Sequence, residues 1–389
     1  MTLIGRSDQS LLGRWFWTID RILLLLLALL IGIGVVAMLS ASPSAALRYS
    51  GNGIRLPDLL YFYRHLVWIA LGVPVLLGVS MLPTRWLRRL CVLGLPVALL
   101  LMAALPIIGM EKNGAIRWIS LGGSLFQPSE ILKPMLVVVT AWVLATRFED
   151  PSVPAFRGSA LLVALSMGLL VIQPDFGQTA LIGIIWLVQA CLAGLPLAII
   201  AGLLLAGVAM AAGSYMVVPH VRDRVQEWVL GVGDNFQADQ ATRAFQAGGL
   251  LGSGPSEGRV KFSLPEAQTD YIFAVVGEEF GMIACFCLAL LYLGIIVRIA
   301  LQLLDEEDPF VFLATAGLVA QFGVQAFINM SVNLSLLPSK GMTLPFISHG
   351  GSSFLAMAFT MGMVLAFTRG SRALRASPFA PRGLAGVPA

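Results

Sequence analysis

Six charged side chains, Arg259, Lys261, Glu266, Asp270, Glu278 and Glu279, lie beside and inside apolar sequence within the segment 259–281. Ionisable groups at membrane depth cost a few kcal/mol or more each and tend to face cavities, partners or substrates. Asp270 stands at the border between a polar stretch and an apolar run, where a partly desolvated carboxylate suits general-base work. Glu278 and Glu279 follow about two helical turns deeper. At least one of them is expected to face the interior as a structural or hydrogen-bonding group.

Three further polar blocks interrupt apolar sequence. In the first, residues 109–133, Pro128 or Ser129 is expected to open a helix, which puts Glu130 and Lys133 one turn apart on one face. They could form a structural intramembrane ion pair, or Lys133 could face a cavity and contact phosphate. Arg117 beside Trp118 fits an interfacial anchor or a phosphate fork over an aromatic wall. The second block, Gln173-Pro174-Asp175-Phe176-Gly177, makes a turn whatever its function; Asp175 either caps the next helix or enters a site. The third, 333–353, combines Pro338 and Pro345 with Gly341, Gly350, Gly351 and several hydroxyls including Ser348. Irregular backbone of that kind is tolerated at membrane depth only where it lines protein or a cavity.

The elements that must position these groups follow from composition. Of 389 residues, 58% are hydrophobic and 12% charged, with a mean hydropathy of +0.86, against roughly 25% charged in an ordinary globular protein. The fold class is therefore all-α, a polytopic membrane protein with about ten spans, because apolar runs long enough to cross the bilayer recur at 22–41, 63–82, 90–108, 128–147, 158–173, 177–194, 196–218, 271–298, 309–333 and 346–368. The first run follows Arg6, Arg14 and Arg21 and is read as a retained helix rather than a signal peptide. Placing both termini in the cytoplasm assigns 13 of the 25 basic residues to cytoplasmic segments and six to the short opposite loops and their borders, as the positive-inside rule favours; counting the long outer loop adds five more to the opposite side and narrows the margin to 13 against 11. The chain then divides into a cytoplasmic N-terminus (1–21), a transmembrane domain (22–368) with one large periplasmic loop (219–270), and a cytoplasmic tail (369–389) rich in Arg, Pro and Ala that is expected to be disordered.

The same arithmetic limits partners and cofactors. A sequence pI near 9.0 reflects membrane orientation and contact with acidic membrane lipids, not nucleic-acid binding. Four lysines, Lys112, Lys133, Lys261 and Lys340, fall on the outer side or within a span, against the positive-inside trend; either chance among so few residues gives this pattern or ammonium groups handle an anionic substrate on the outer face. Cys91, Cys191, Cys285 and Cys287 lie inside predicted spans and imply no disulfide framework. His65, His220 and His349 lack zinc-ligand spacing. In the large loop, residues 240–254 begin at helical spacing and end in four glycines within seven residues, an amphipathic helix stopped by a glycine turn.

Five motifs in this order, Gln127-Pro128-Ser129-Glu130, Gln173-Pro174-Asp175, Leu264 to Phe273, Gly277 to Gly281, and Pro345 to Ser353, resemble the SEDS (shape, elongation, division and sporulation) family of bacterial membrane proteins over nearly the whole chain after residue 20. Leu337 to Pro345 is similar to the cell-division branch; the elongation branch tends to be hydrophobic where Ser339 and Lys340 stand. The resemblance implies a peptidoglycan glycosyltransferase of the bacterial inner membrane that polymerises lipid II at the division septum, its active site facing the periplasm, together with a class B penicillin-binding protein. It places the family's essential aspartate on Asp270, its loop arginine on Arg117, and its fourth-helix glutamate and lysine on Glu130 and Lys133. Two positions depart from the family pattern: Gln268 where it often has His, and His349 where it usually has Tyr.

The residue chemistry agrees. Glycosyl transfer from a polyprenyl diphosphate needs a base for the acceptor hydroxyl, for which Asp270 is the candidate, and cations for the departing diphosphate. Arg117, Lys133 and Lys112, alone or with a divalent metal (Mg or Mn), supply them, with Glu130, Asp175 and Ser348 as further substrate-binding candidates. A lipid II flippase would use the same buried charges to carry the head group across, and a non-catalytic division scaffold would use them only to hold the fold. The polar islands cluster on one side of the membrane, which favours the enzyme over the flippase.

Overall fold

The computed structural model describes residues 10–50, 55–112, 115–121, 124–217, 222, 226, 236–338 and 341–375. Among these, the helices are α1 (Leu11–Thr18), α2 (Arg21–Tyr49), α3 (Leu60–Met81), α4 (Thr84–Ile108), α5 (Pro128–Glu149), α6 (Ala155–Ile172), α7 (Phe176–Leu192), α8 (Leu197–Val217), α9 (Phe236–Gly248), α10 (Ile272–Leu303), α11 (Pro309–Asn333) and α12 (Gly351–Arg375). Eight are long and apolar enough to cross a membrane, and α7 and the stretch Leu197–Met210 are shorter apolar helices. Each of the ten expected runs is thus a helix. The last begins at Gly351 rather than 346, because residues 346–350 are irregular. It also continues to Arg375, so the start of the segment expected to be disordered is helical; residues 376–389 lie outside the described chain.

The helices form a core and a shell. In α2, α3, α4, α6 and α10 only 22–33% of the apolar window is buried within the protein, whereas α5 and α11 reach 61% and α12 reaches 89%. The first set presents its remaining surface to lipid. The inner three can therefore carry polar groups that lipid would not tolerate, and α11 does so at a regular interval: Gln321, Gln325, Asn329 and Asn333, spaced by four along one helical face, are each at most 1% exposed.

Helix ends follow local chemistry. Pro128 occupies the first position of α5, as expected, and Pro309 that of α11 behind the N-cap Asp308, whose side chain accepts from Phe310 N and Val311 N. Asp20 caps α2 in the same way and also accepts from Arg298 Nε at 3.0 Å and from Gln302 Nε2, tying the start of the chain to the far end of α10.

Two features depart from a plain helical bundle. Residues 110–126 form a small antiparallel sheet, β1 (Met110–Lys112), β2 (Ala115–Leu121) and β3 (Ser124–Phe126), in the order β1-β2-β3, with Met110 opposite Trp118 and Ile119 opposite Phe126. The small sheet is an addition to the expected all-α membrane fold: short paired strands satisfy backbone groups in a polar, glycine-rich segment between two membrane helices. The second departure is a break in α10 at Gly281, whose φ of 82° and ψ of 175° no helix accommodates.

The broken backbone at Gly281 is completed from the large loop. α9 ends as expected in a glycine turn, and this turn inserts into the break: Ser253 N donates to Glu278 O at 2.9 Å and Gly254 N to Glu279 O at 3.1 Å, while Met282 N donates to Gly249 O at 3.0 Å. The approach requires glycine, since a Cβ at Gly252 would lie 2.2 Å from Glu279 O and one at Gly281 would lie 2.3 Å from Leu250 O. Freed helical groups thus find partners within the protein, as a lipid environment demands.

Candidate functional site

Asp270 is half-buried at the foot of α10, and its main chain is clamped from two elements. Asn329 Nδ2 and Asn333 Nδ2, both on α11, donate to Asp270 O at 2.9 and 2.8 Å. From the irregular segment before α12, Ser348 Oγ donates to Thr269 O at 2.5 Å and His349 N to Gln268 O at 2.8 Å. Ser348 Oγ also accepts from Leu344 N at 2.7 Å. Gly341 passes so close that an added Cβ would stand 3.2 Å from Asp270 Oδ2. Ser348 is therefore engaged in holding the aspartate's backbone.

Beneath this clamp lies a buried network. Asn329 Nδ2 also donates to Met342 O at 2.6 Å, and the next residue, Thr343, accepts at its carbonyl from Gln325 Nε2 at 3.1 Å. Gln325 Oε1 accepts in turn from Lys133 Nζ at 3.1 Å, and Lys133 Nζ pairs with Glu130 Oε1 at 2.9 Å. Glu130 Oε1 accepts as well from Gln178 Nε2 at 3.0 Å. The pair is the structural ion pair of the two sequence alternatives. Lys133 is 0% exposed and borders a void of about 10 Å³, room for at most one water. The expectation that it faces an open cavity is not met, because Glu130 and Gln325 enclose its ammonium group.

Arg117 projects from β2 onto the second polar block. Its Nε donates to Gln173 O at 3.0 Å, one terminal nitrogen donates to Pro174 O, and the other lies 3.6 Å from Asp175 Oδ2. The guanidinium fork thus grips a turn whose Pro174 has a φ of 24°. Asp175 both caps α7, accepting from Gln178 N at 3.3 Å, and faces Arg117, so the two readings of this residue hold together. Burial raises its pKa, and the Arg117 charge and the Gln178 amide oppose that shift. Since Gln178 joins Asp175 to Glu130, five candidates (Arg117, Asp175, Glu130, Lys133 and Asp270) are linked through side chains and main chain into one assembly.

Glu278 and Glu279 are both interior groups. Glu278 accepts from Val260 N at 2.7 Å and Lys261 N at 2.8 Å, and Glu279 pairs with the buried Lys261. His349, outside the helices, sets its ring edge-on to Tyr61 at 5.6 Å and 6.0 Å from that of His65. Its pKa is pushed down to about 4 by burial and then by the Arg64 charge. The two departures from the family pattern, Gln268 and His349, are thus hydrogen-bonded neighbours. The side chain of Lys112, and Lys340 and His220 entirely, lie outside the described residues. A recess of about 530 Å³ between α10 and α11 is lined by apolar residues such as Ile296, Phe312 and Phe327 and contains none of these groups. Sequence reasoning picked out Asn333 only as the start of the polar block 333–353 and missed Gln325 and Asn329, although the four-residue spacing of the three in an apolar span was a readable signal.

Such a bundle, with an aspartate clamped through its main chain at one end of the membrane helices and linked by hydrogen bonds to a buried lysine, defines a polytopic membrane protein with a polar site built on irregular backbone. The chain belongs to the FtsW/RodA/SpoVE cell cycle protein family, whose model matches residues 20–373. A probable peptidoglycan glycosyltransferase FtsW of Caulobacter vibrioides is 41% identical over 369 residues, covering 94% of this chain and 93% of that protein. One of the same description from Nitrosomonas europaea is 33% identical, with 89% and 92% covered. Among solved structures, a chain of a peptidoglycan synthase complex that coordinates polymerization and crosslinking superposes with a TM-score of 0.76 at 28% identity, covering 91% and 98%. The rod shape determining protein RodA of Thermus thermophilus gives 0.67 at 28% identity, covering 90% and 97%.

Proposed function

We propose that this protein is a peptidoglycan glycosyltransferase that polymerises lipid II at the outer face of the bacterial inner membrane during cell division. One observation carries the reading: four hydrogen bonds from two separate elements fix the backbone of residues 268–270 at the membrane boundary, which is how a base must be held to meet one hydroxyl. Asp270 takes the proton of the acceptor sugar hydroxyl as its oxygen bonds to the anomeric carbon of the donor, and the bond from that carbon to the diphosphate breaks. Arg117 and Lys112 stabilise the departing diphosphate, which gains charge where water is scarce, and Lys133, enclosed by Glu130 and Gln325, contributes its charge through the field rather than by contact. Glu130, Asp175 and Ser348 position these groups.

Among the described residues no three His, Cys, Asp or Glu side chains converge to hold a metal. A magnesium or manganese ion serving a diphosphate usually takes only one or two protein carboxylates, the rest from phosphate and water, and Asp270 meets that requirement. The partner in this reading is a class B penicillin-binding protein at the septum, in keeping with the likeness to a synthase complex. The test is polymerisation of lipid II by the purified chain in detergent, with and without that partner. Asp270→Asn should abolish polymer while leaving insertion and partner binding intact; near-normal polymer from Asp270→Asn overturns the assignment. A flippase or a scaffold would yield no polymer from the wild-type chain.

A further inference from the structure

The loop that bears Asp270 also meets an aromatic rim. Tyr49, 42% exposed at the end of α2, and Tyr61 on α3 set their rings 5.8 Å apart at 41°. Arg64, in the first turns of α3, holds its guanidinium 5.8 Å from the Tyr61 ring, is uncovered by the rest of the protein, and makes no ion pair among the described residues. The rim is joined to the loop bearing Asp270 through Glu266, whose carboxylate accepts from Tyr49 Oη at 2.8 Å and from Thr269 Oγ1 at 2.9 Å. Glu266 adopts a φ of 51° to reach both, a conformation that costs a non-glycine residue about 1–3 kcal/mol and persists where surrounding contacts over-determine it.

Half-exposed tyrosine faces offer an amphipathic platform of low conformational cost, apolar in the ring and polar at the hydroxyl. An exposed guanidinium beside them recognises carboxylate or phosphate in a fork. We infer that Tyr49, Tyr61 and Arg64 form a subsite for a saccharide ring bearing an anionic substituent, and that this is the acceptor side of Asp270. The inference rests on the glycosyltransferase reading, in which Asp270 must lie between an acceptor sugar and the leaving diphosphate. The buried Lys133 connects to the main chain of Asp270 through Gln325, Thr343, Met342 and Asn329, and the tyrosines connect to the preceding residue, Thr269, through Glu266. The two charge environments therefore join residues 269–270 by separate paths. The anionic group is a carboxylate, carried by the acceptor's sugar or peptide, and recognition of a phosphate instead is an outcome that the test excludes.

The full chain in nanodiscs is titrated with two probes: the soluble disaccharide pentapeptide, which has carboxylates but no diphosphate, and undecaprenyl diphosphate, which has no sugar. Arg64→Gln and Tyr61→Leu should each weaken binding of the disaccharide peptide about tenfold, the effect of one charge-assisted contact, and leave undecaprenyl diphosphate within about twofold. Arg64→Lys should recover part of the loss. Unchanged binding of the disaccharide peptide to both variants overturns the subsite. A loss confined to undecaprenyl diphosphate also overturns it, since Arg64 would then serve the leaving group. If the wild-type chain binds the disaccharide peptide in an Arg64-dependent manner yet forms no polymer from lipid II, the subsite stands and the glycosyltransferase reading falls.

Discussion

Replacing Lys133 by Met asks whether the ammonium group serves the fold, the reaction or both. Its Nζ contacts only groups that need it: Glu130 Oε1 at 2.9 Å and Gln325 Oε1 at 3.1 Å, with 0% and 4% exposure for the two charged side chains. Met fills most of the volume but leaves Glu130 with Gln178 as its partner, while Glu130 Oε2 already lacks one among the described residues. Breaking a buried pair from one side costs about 3–5 kcal/mol, whereas replacing both charges is often close to neutral. At roughly 2 °C per kcal/mol, Lys133→Met should melt some 6–10 °C below the wild type in detergent. The double variant Lys133→Met with Glu130→Gln should recover most of that loss, which a double-mutant cycle reads directly. Polymerisation separates the two roles. A cation that stabilises the diphosphate cannot be replaced by restoring stability, so the double variant should remain at least about tenfold slow, equivalent to about 1.4 kcal/mol of barrier. Full rate in a stable double variant would refute the leaving-group role and leave Lys133 as the structural partner of Glu130.

Two further outcomes test the frame around the site. Gly281→Ala places a Cβ 2.3 Å from Leu250 O at a φ of 82°, so it should cost at least about 2 kcal/mol from backbone conformation and displacement combined; limited proteolysis should then cut within 249–262, and an uncut, equally stable variant would refute the docked glycine turn. His349 has a folded pKa of about 4, below the ordinary 6.5. The unfolded chain therefore binds its proton first as pH falls, and the folded state should lose about 2 kcal/mol from this group between pH 6.5 and 5. His349→Tyr should flatten that part of the melting profile, and an unchanged slope would contradict the buried neutral ring.

How much of this was legible in the sequence depended on whether a signal was local. Ten apolar runs became ten helices because span length is fixed by bilayer thickness, and Pro128 opened α5 because its ring suits a first helical turn. Asp270 was conspicuous as a charge at an apolar border. The sheet at 110–126 was missed although Asn113-Gly114 and Gly122-Gly123 fall between its strands, the dipeptide type that marks two-residue hairpins; in a chain so apolar the hairpin signal was overshadowed by composition. The break at Gly281 was not legible at all. A glycine in an apolar run is compatible with an intact helix, and only the Gly249 to Gly254 turn, some 30 residues earlier in sequence, makes the break favourable. The pairing of Lys261 with Glu279 was hidden for the same reason, since spacing within one segment did not reveal a loop folded back beside its own helix.

That fold-back gives Lys261, Glu278 and Glu279, the charges near Asp270 in sequence, a task other than the proposed base chemistry. The segment 264–270 has irregular backbone, with Glu266 in the left-handed region, and would not by itself hold a carboxylate to the half-ångström tolerance that catalysis requires. Its N-terminal side is fixed where Glu278 accepts from Val260 N and Lys261 N and where Glu279 pairs with Lys261. Its C-terminal side enters α10, whose first turns are fixed by the glycine turn docked at Gly281. Asn329 and Asn333 close the remaining direction. Buried ion pairs contribute little net stability and are better understood as fixing one arrangement among several. Lys261, Glu278 and Glu279, each about 1% exposed, fit that role: they determine where the loop lies against α10. Glu278→Gln, which keeps shape but lets only one oxygen accept, should therefore impair polymerisation more than it lowers melting temperature. A variant that melts lower yet polymerises at the wild-type rate would show that the carboxylate's placement does not depend on the fold-back.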